Sequence, residues 1–239
     1  MGLIGWWTFS EPDGEIVEDW SGSGHDGVIR GGTRFIVNSD KPYSNCWKAL
    51  QLDGVNNYVA IQNLYFNVAN QLKEFTVLAV VRIPTTGGNW SILDFDRSEY
   101  FCCCAGIPSG SASGEGDYVG FHTSASGYGI HDMWGSKIVR DGAWHVIVWR
   151  YNCYEQYDKK IWVDGVLDAQ ADAYPEGVGV GTGTTRYGFI GDGSEANTFD
   201  GGRNNIYFEG DIGEVRFWDE ALPESHICCI SEALKKLYG

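Results

Sequence analysis

Phe208-Glu-Gly-Asp-Ile-Gly-Glu-Val-Arg-Phe-Trp-Asp-Glu-Ala-Leu222 decides how the rest of the chain is read. Between Asp211 and Trp218 the apolar residues do not recur at helical spacing. Val215, Phe217 and Trp218 favour extended backbone, so the segment reads as a strand. Alternation assigns Ile212, Glu214, Arg216 and Trp218 to one face and Gly213, Val215 and Phe217 to the other, which is the expected core face. The residues that follow close the strand and open a helix, because Pro223 is tolerated in a first turn and Glu224 suits the positive helix end. Ile227, Ile230, Leu234 and Leu237 then form an apolar stripe, predicting a short C-terminal helix over about 223–237 that docks on the body of the domain.

Working outward, residues 75–83 (Phe-Thr-Val-Leu-Ala-Val-Val-Arg-Ile) are apolar on both faces and read as a central strand buried on both sides. Ala49-Leu-Gln-Leu-Asp-Gly-Val-Asn-Asn-Tyr-Val-Ala-Ile61 reads as a hairpin turning at Asp53-Gly54, with Leu50 and Leu52 inward. Residues 118–122 and 130–139 form another hairpin region. Residues 141–151 and 160–167 read as paired strands with a tight Asp164-Gly165 turn. An aromatic strand, 3–9, opens the chain, and a polar loop, 10–26, follows it and contains the turn Asp19-Trp-Ser-Gly-Ser-Gly-His-Asp-Gly27. Thirty-three glycines and 14% aromatic residues accord with many short strands, tight turns and an aromatic-filled sandwich. The 239 residues carry no proline-rich linker and no low-complexity run, so one domain spanning 1–239 is expected.

These stretches, in this order, resemble the laminin-G-like and concanavalin A-like lectin/glucanase domains. The resemblance covers nearly the whole chain. It implies an all-β fold, a concanavalin-type antiparallel β-sandwich (jelly roll) with a short C-terminal helix. It also implies three classes of function: structural surface protein, carbohydrate-binding module and glycoside hydrolase.

The formal net charge of −15 argues against a nucleic-acid partner, since a phosphate backbone would be repelled. No apolar run is long enough for membrane insertion, and the N-terminus shows no signal peptide. Asp94, Asp96 and Glu99 match the Glu-x-Asp-x-x-Glu spacing of concanavalin-type glycosidases, but Asp94 is shorter than that nucleophile, and no enzymatic activity is expected. Some relatives bind calcium through an aspartate just before Glu-Val-Arg. Here that position is Gly213, which leaves Asp211 as a weak metal candidate, and no cofactor is expected. His145 reads as a packing histidine. Tyr128, Trp134 and Tyr154 are candidates for stacking on a glycan.

Seven cysteines, Cys46, Cys102, Cys103, Cys104, Cys153, Cys228 and Cys229, leave at least one without an intrachain partner. In a strand, Cys102 and Cys104 point one way and Cys103 the other, and helical spacing puts Cys228 opposite the apolar stripe and Cys229 on its flank. Exposed thiols of this kind are candidate intermolecular disulfides. Together with a domain beginning at Met1 without a leader, they point to a virion-surface or extracellular protein. Its expected role is a phage-type capsid decoration cross-linked to other protein subunits, with lectin-like glycan binding as the alternative.

Overall fold

The computed structural model describes residues 2–11, 14–37, 48–67, 71–85, 91–105 and 118–238, with the backbone alone at Arg34 and Val37. Cys46 and the glycine- and serine-rich loop at 106–116 lie outside the described residues. Among the described residues, sixteen strands form two antiparallel sheets packed face to face. The first sheet runs β14 (Val166–Ala171), β13 (Lys159–Val163), β12 (Trp144–Asn152), β7 (Glu74–Arg82), β16 (Glu209–Trp218), β5 (Lys48–Asp53) and β4 (Arg34–Val37), and β1 (Leu3–Trp7) also pairs with β16. The second runs β11 (Gly129–Ile138), β10 (Tyr118–Ala125), β9 (Phe101–Ala105), β8 (Ser91–Asp94), β15 (Arg186–Ile190), β6 (Tyr58–Phe66), β3 (Gly27–Arg30) and β2 (Ile16–Val17). Helix α1 (Glu224–Tyr238) closes the chain. It is too short to cross a membrane, and no described helix is long and apolar enough to do so.

The core lies between the sheets. Phe75, Val77, Ala79 and Val81 of β7 point into it, and Leu78 and Val80 point to the other side. That second side is covered by α1, so β7 is buried on both faces, as its apolar run predicts. Along β16 the strict alternation breaks. A bulge between Ile212 and Glu214 puts Ile212 in the inter-sheet core with Val215 and Phe217. Gly213 is turned out instead, against the helix: a Cβ there would lie 2.4 Å from Cε1 of Tyr238, whose hydroxyl donates to the Gly213 carbonyl at 3.2 Å. Glu214 and Arg216 share this outer side, 2.7 Å apart, and the guanidinium lies over the Trp6 ring at 4.6 Å.

Two of the expected hairpins resolve differently. Asp53-Gly54 does turn the chain, with Gly54 at φ 71°, but β5 pairs with β16 and β4 while β6 pairs with β15 and β3. The segment is therefore an arch from one sheet to the other, not a hairpin. Asp164-Gly165, both at positive φ, joins β13 to β14, whereas β12 pairs with β13 through the turn at 153–158. On α1 the deeply buried residues are Ile227, Ser231, Leu234 and Tyr238, and Ile230 and Leu237 are only partly covered.

That rotation of the helix corrects the reading of its cysteines. The Cys228 thiol faces the sandwich and donates to the Gly165 carbonyl at 3.3 Å, and Cys229 is the exposed one. The Cys102, Cys103 and Cys104 triplet points in two directions as expected, yet all three are buried, at 2%, 0% and 2% exposure. Both faces of β9 are covered, so none of the three reaches a neighbouring chain. His145 is held between Asp164, 3.0 Å from Nδ1, and Asp141, 3.1 Å from Nε2, a packing histidine with both ring nitrogens engaged.

Candidate functional site

Two clefts open at opposite ends of the sandwich. One, of about 730 Å³, lies where the end of β6 and the start of β7 meet the β12–β13 turn and the ends of β1 and β16. Tyr154 stands on its rim, 54% exposed, and Tyr65 at 39%. Each ring is backed on one side. Lys73 Nζ sits 5.8 Å from the Tyr154 centroid and donates to the Gly177 carbonyl, and Tyr65 stacks on Tyr187 at 4.9 Å and 25°. The wall also carries Asn63, Asn67, Gln71, His25 and Glu74. Amides donate to and accept from hydroxyl groups, and a carboxylate accepts from them. Asn63, at φ 58°, is held in the left-handed region that asparagine tolerates, and its side chain reaches the Gly24 carbonyl at 3.4 Å.

The other cleft, of about 700 Å³, is lined by Gln51, Asp53, Asn57, Arg82, Glu209 and Asp211, with no aromatic residue among the described ones. These described residues offer hydrogen bonds and no stacking surface. The three aromatic candidates therefore part company. Tyr154 lines the first cleft. Tyr128, 55% exposed in the β10–β11 turn, meets only the edge of Tyr174 at 6.1 Å, and Trp134 packs its ring against His122 at 4.8 Å on the outer face of the second sheet.

A family model for the Concanavalin A-like lectin/glucanases superfamily matches residues 53–228. The chain belongs to this superfamily. No curated protein sequence matches it. Among solved structures it is similar to the binding domain of Paraclostridial Mosquitocidal Protein 1, at 12% identity and TM-score 0.67 over 98% of this chain and 52% of that one. It is also similar to domain 4 of AbnA, a GH43 extracellular arabinanase from Geobacillus stearothermophilus in complex with arabinotriose. There the identity is 14% and the TM-score 0.64, over 96% of this chain and 98% of that one. A third is the binding domain of Botulinum neurotoxin DC in complex with SialylT, at 13% identity and TM-score 0.63, over 97% and 51%. The chain spans about half the length of the two toxin domains. At these identities the likeness is one of fold.

Among the described residues, the carboxylates and the calcium position that the resemblance singles out do not assemble into either site. A glycosidase needs two carboxylates facing one sugar across roughly 5–9 Å. β8 ends at Asp94, and Asp96 and Glu99 lie in the turn beyond it, not on a shared strand face. Asp94 is sealed at 3% exposure, accepts from the amides of Asp96 at 2.6 Å and Ser194 at 3.1 Å, and is pushed by burial up to about 7. Asp96 is taken by Arg186 at 2.6 Å and by Ser98, and Glu99 by the Thr182 hydroxyl.

A calcium site asks for six to eight oxygens. The place of the missing ligand at Gly213 is filled by the Tyr238 ring, Glu214 is turned to Arg216, and Asp211 Oδ2 accepts from Arg82 Nε at 2.8 Å. Asp211 Oδ1 and Glu214 Oε1 are buried without a hydrogen-bond partner, but each carboxylate is ion-paired, to Arg82 and Arg216, and oxygens beside guanidinium groups do not fit a divalent cation. No grouping of three or more His, Cys, Asp and Glu side chains placed to hold a metal occurs among the described residues. Chelation is accordingly expected to shift the melting temperature by less than about 1 °C, because a ligand that stabilises the fold does so by mass action. A fall of several degrees with chelator, restored by calcium, would refute this.

The ring-backed cleft itself was only partly legible. Tyr154 was recognisable as a candidate, but Tyr65, Asn63 and Lys73 were not, since nothing in the sequence shows that the end of β6 and the β12–β13 turn meet. The one available signal was Asn-Leu-Tyr at 63–65, where an asparagine interrupts a strand and an aromatic falls on its outward side.

Proposed function

We propose that the protein is a non-catalytic, lectin-like module that binds a neutral oligosaccharide in the Tyr154 cleft. The observation that carries this reading is the pair of exposed tyrosine rings, each backed by another side chain and flanking a concavity lined with amides. Sugars bind proteins by laying an apolar ring face on an aromatic while their hydroxyls meet amides and carboxylates. Rings already braced lose little freedom on binding. A similarly folded structure supports the reading: domain 4 of AbnA was solved with arabinotriose. A neutral ligand is favoured because Lys73 shares the cleft with Glu74 and Asp219 in a chain of net charge −15, which repels sialylated or sulfated glycans.

A glycan array that includes arabino-oligosaccharides tests this directly. Neutral oligosaccharides are expected to bind ahead of anionic ones, and Tyr154→Ala is expected to cost about 2 kcal/mol, roughly thirty-fold in affinity. Binding confined to anionic glycans, or undiminished in the variant, would overturn the proposal.

The disulfide-linked assembly rests on fewer thiols than the sequence offered. Among the described residues Cys229 alone is exposed, and a single exposed thiol joins two chains and no more. A glycan-binding module acting at an extracellular surface needs no covalent neighbour.

A further inference from the structure

The outer face of the second sheet carries a buried polar group that glycan binding does not use. Cys103 points into the inter-sheet core, and its neighbours Cys102 and Cys104 point the other way. On β10, Gly120 stands directly opposite Cys104 and His122 opposite Cys102, and on β11 Asp132 stands opposite His122. His122 is fully buried, with Nδ1 2.7 Å from Asp132 Oδ1. Arg97 Nε donates to the same carboxylate at 2.9 Å. An ionised carboxylate only accepts, so Nδ1 carries a proton and the Nε2 edge is aimed away from Asp132.

Nε2 is buried with no hydrogen-bond partner and meets the Cys104 sulfur over Gly120. A Cβ on Gly120 would lie 2.6 Å from Cys104 Sγ, 2.7 Å from His122 Nε2 and 2.8 Å from Cζ3 of Trp134. Only a residue without a side chain lets sulfur, imidazole and indole close over that one spot of backbone. The electrostatics agree with the geometry. Burial opposes a charge on Cys104, but the Cys102 thiol and His122 outweigh it and bring the Cys104 thiol below its ordinary value. Burial likewise opposes a charge on His122, and the Cys104 sulfur and Asp132 outweigh it and hold the imidazole above its ordinary value. Cys103, with burial and no such partners, is raised.

We propose that Cys104 is a peroxide-sensitive thiolate, positioned by His122 and Asp132, that hydrogen peroxide converts to a sulfenic acid. The sulfur attacks one peroxide oxygen; an S–O bond forms as the O–O bond breaks, and two electrons pass from sulfur to peroxide. The departing hydroxide takes the proton from His122 Nε2 and leaves as water. Cys102 does not go on to a disulfide: residues two apart on a strand stand about 6.6 Å from each other with parallel Cβ directions, whereas a disulfide brings Cβ atoms to about 3.8 Å. The sulfenic acid therefore persists until a small thiol reduces it. Hydrogen peroxide is the fitting oxidant because Cys104 is only 2% exposed, and a molecule near the size of water reaches a buried thiol more readily than a bulky hydroperoxide does.

The test treats the full chain with hydrogen peroxide, quenches with catalase, denatures, alkylates, and reads the blocked fraction of each cysteine by peptide mass. Cys104 is expected to be blocked first, at least ten-fold faster than Cys102, Cys103, Cys153 and the exposed Cys229, and to be restored by dithiothreitol. Asp132→Asn, which keeps the shape of a half-exposed side chain, is expected to slow Cys104 about ten-fold, the effect of one pKa unit, with the melting temperature little changed. Gly120→Ala, which pushes the sulfur and imidazole apart, is expected to slow it as well. Blocking of Cys229 ahead of Cys104, equal blocking across the triplet, or a Cys104 rate indifferent to Asp132→Asn would overturn the proposal.

Discussion

Phe217→Ala is expected to destabilise the fold by about 3–5 kcal/mol, the range for emptying a buried aromatic site. Phe217 is fully buried on the strand that the other elements surround. Its ring lies 6.1 Å from Phe66, 6.2 Å from Phe75, 6.1 Å from Phe95 and 5.7 Å from Phe101, so it touches both sheets at once. These neighbours are braced by one another and collapse little into the space. For a chain of this length the loss corresponds to a melting temperature lower by about 10 °C. Phe199, 37% exposed on a loop, is the control, and its alanine variant should stay within about 0.5 kcal/mol. Equal, small shifts in both variants would mean that β16 is not the hub of the core.

Arg216→Leu is expected to cost a comparable 3–5 kcal/mol by a different route, because it strands a charge. Glu214 is 1% exposed beneath α1, and burial raises its pKa against the pull of Arg216. Removing the guanidinium leaves that carboxyl facing Trp6 and Tyr238. The double variant Arg216→Leu, Glu214→Gln is expected to recover at least half of the loss, since the uncompensated charge goes with the carboxyl. Thermal or urea unfolding reads both. A double variant no better than the single one would assign the loss to the missing contact with Trp6, 4.6 Å from the guanidinium, and not to electrostatics.

The contrast between these two residues shows what the sequence made legible. Phe217 was assigned to the core because β-alternation holds from Val215 onward. Glu214 was placed correctly on the outer side, but Ile212 and Gly213 were exchanged, because a bulge inserts one residue and alternation has no term for it. The double-sided burial of β7 was legible from its unbroken apolar run. The arch from β5 to β6 was not, since Asp53-Gly54 specifies a reversal and says nothing about which sheet receives the chain. Helical spacing found the right face of α1 to within one residue, and that single step moved Cys228 from solvent to the Gly165 carbonyl. The cleft is a meeting of distant segments, Asn63 to Asn67 with Tyr154, and the His122, Asp132 and Cys104 group depends on cross-strand register. Neither arrangement is encoded within any one stretch.

The measurement that bears most directly on glycan binding at Tyr154 is an amide chemical-shift titration of the isotopically labelled protein with the best neutral oligosaccharide from the array. Shifts are expected to centre on Tyr154, Asn63 to Asn67 and Lys73, and to vanish in Tyr154→Ala while the rest of the spectrum is unchanged. Shifts centred instead on Gln51, Asp53, Glu209 and Asp211, at the far end of the sandwich, or no shifts with any neutral sugar, would contradict it.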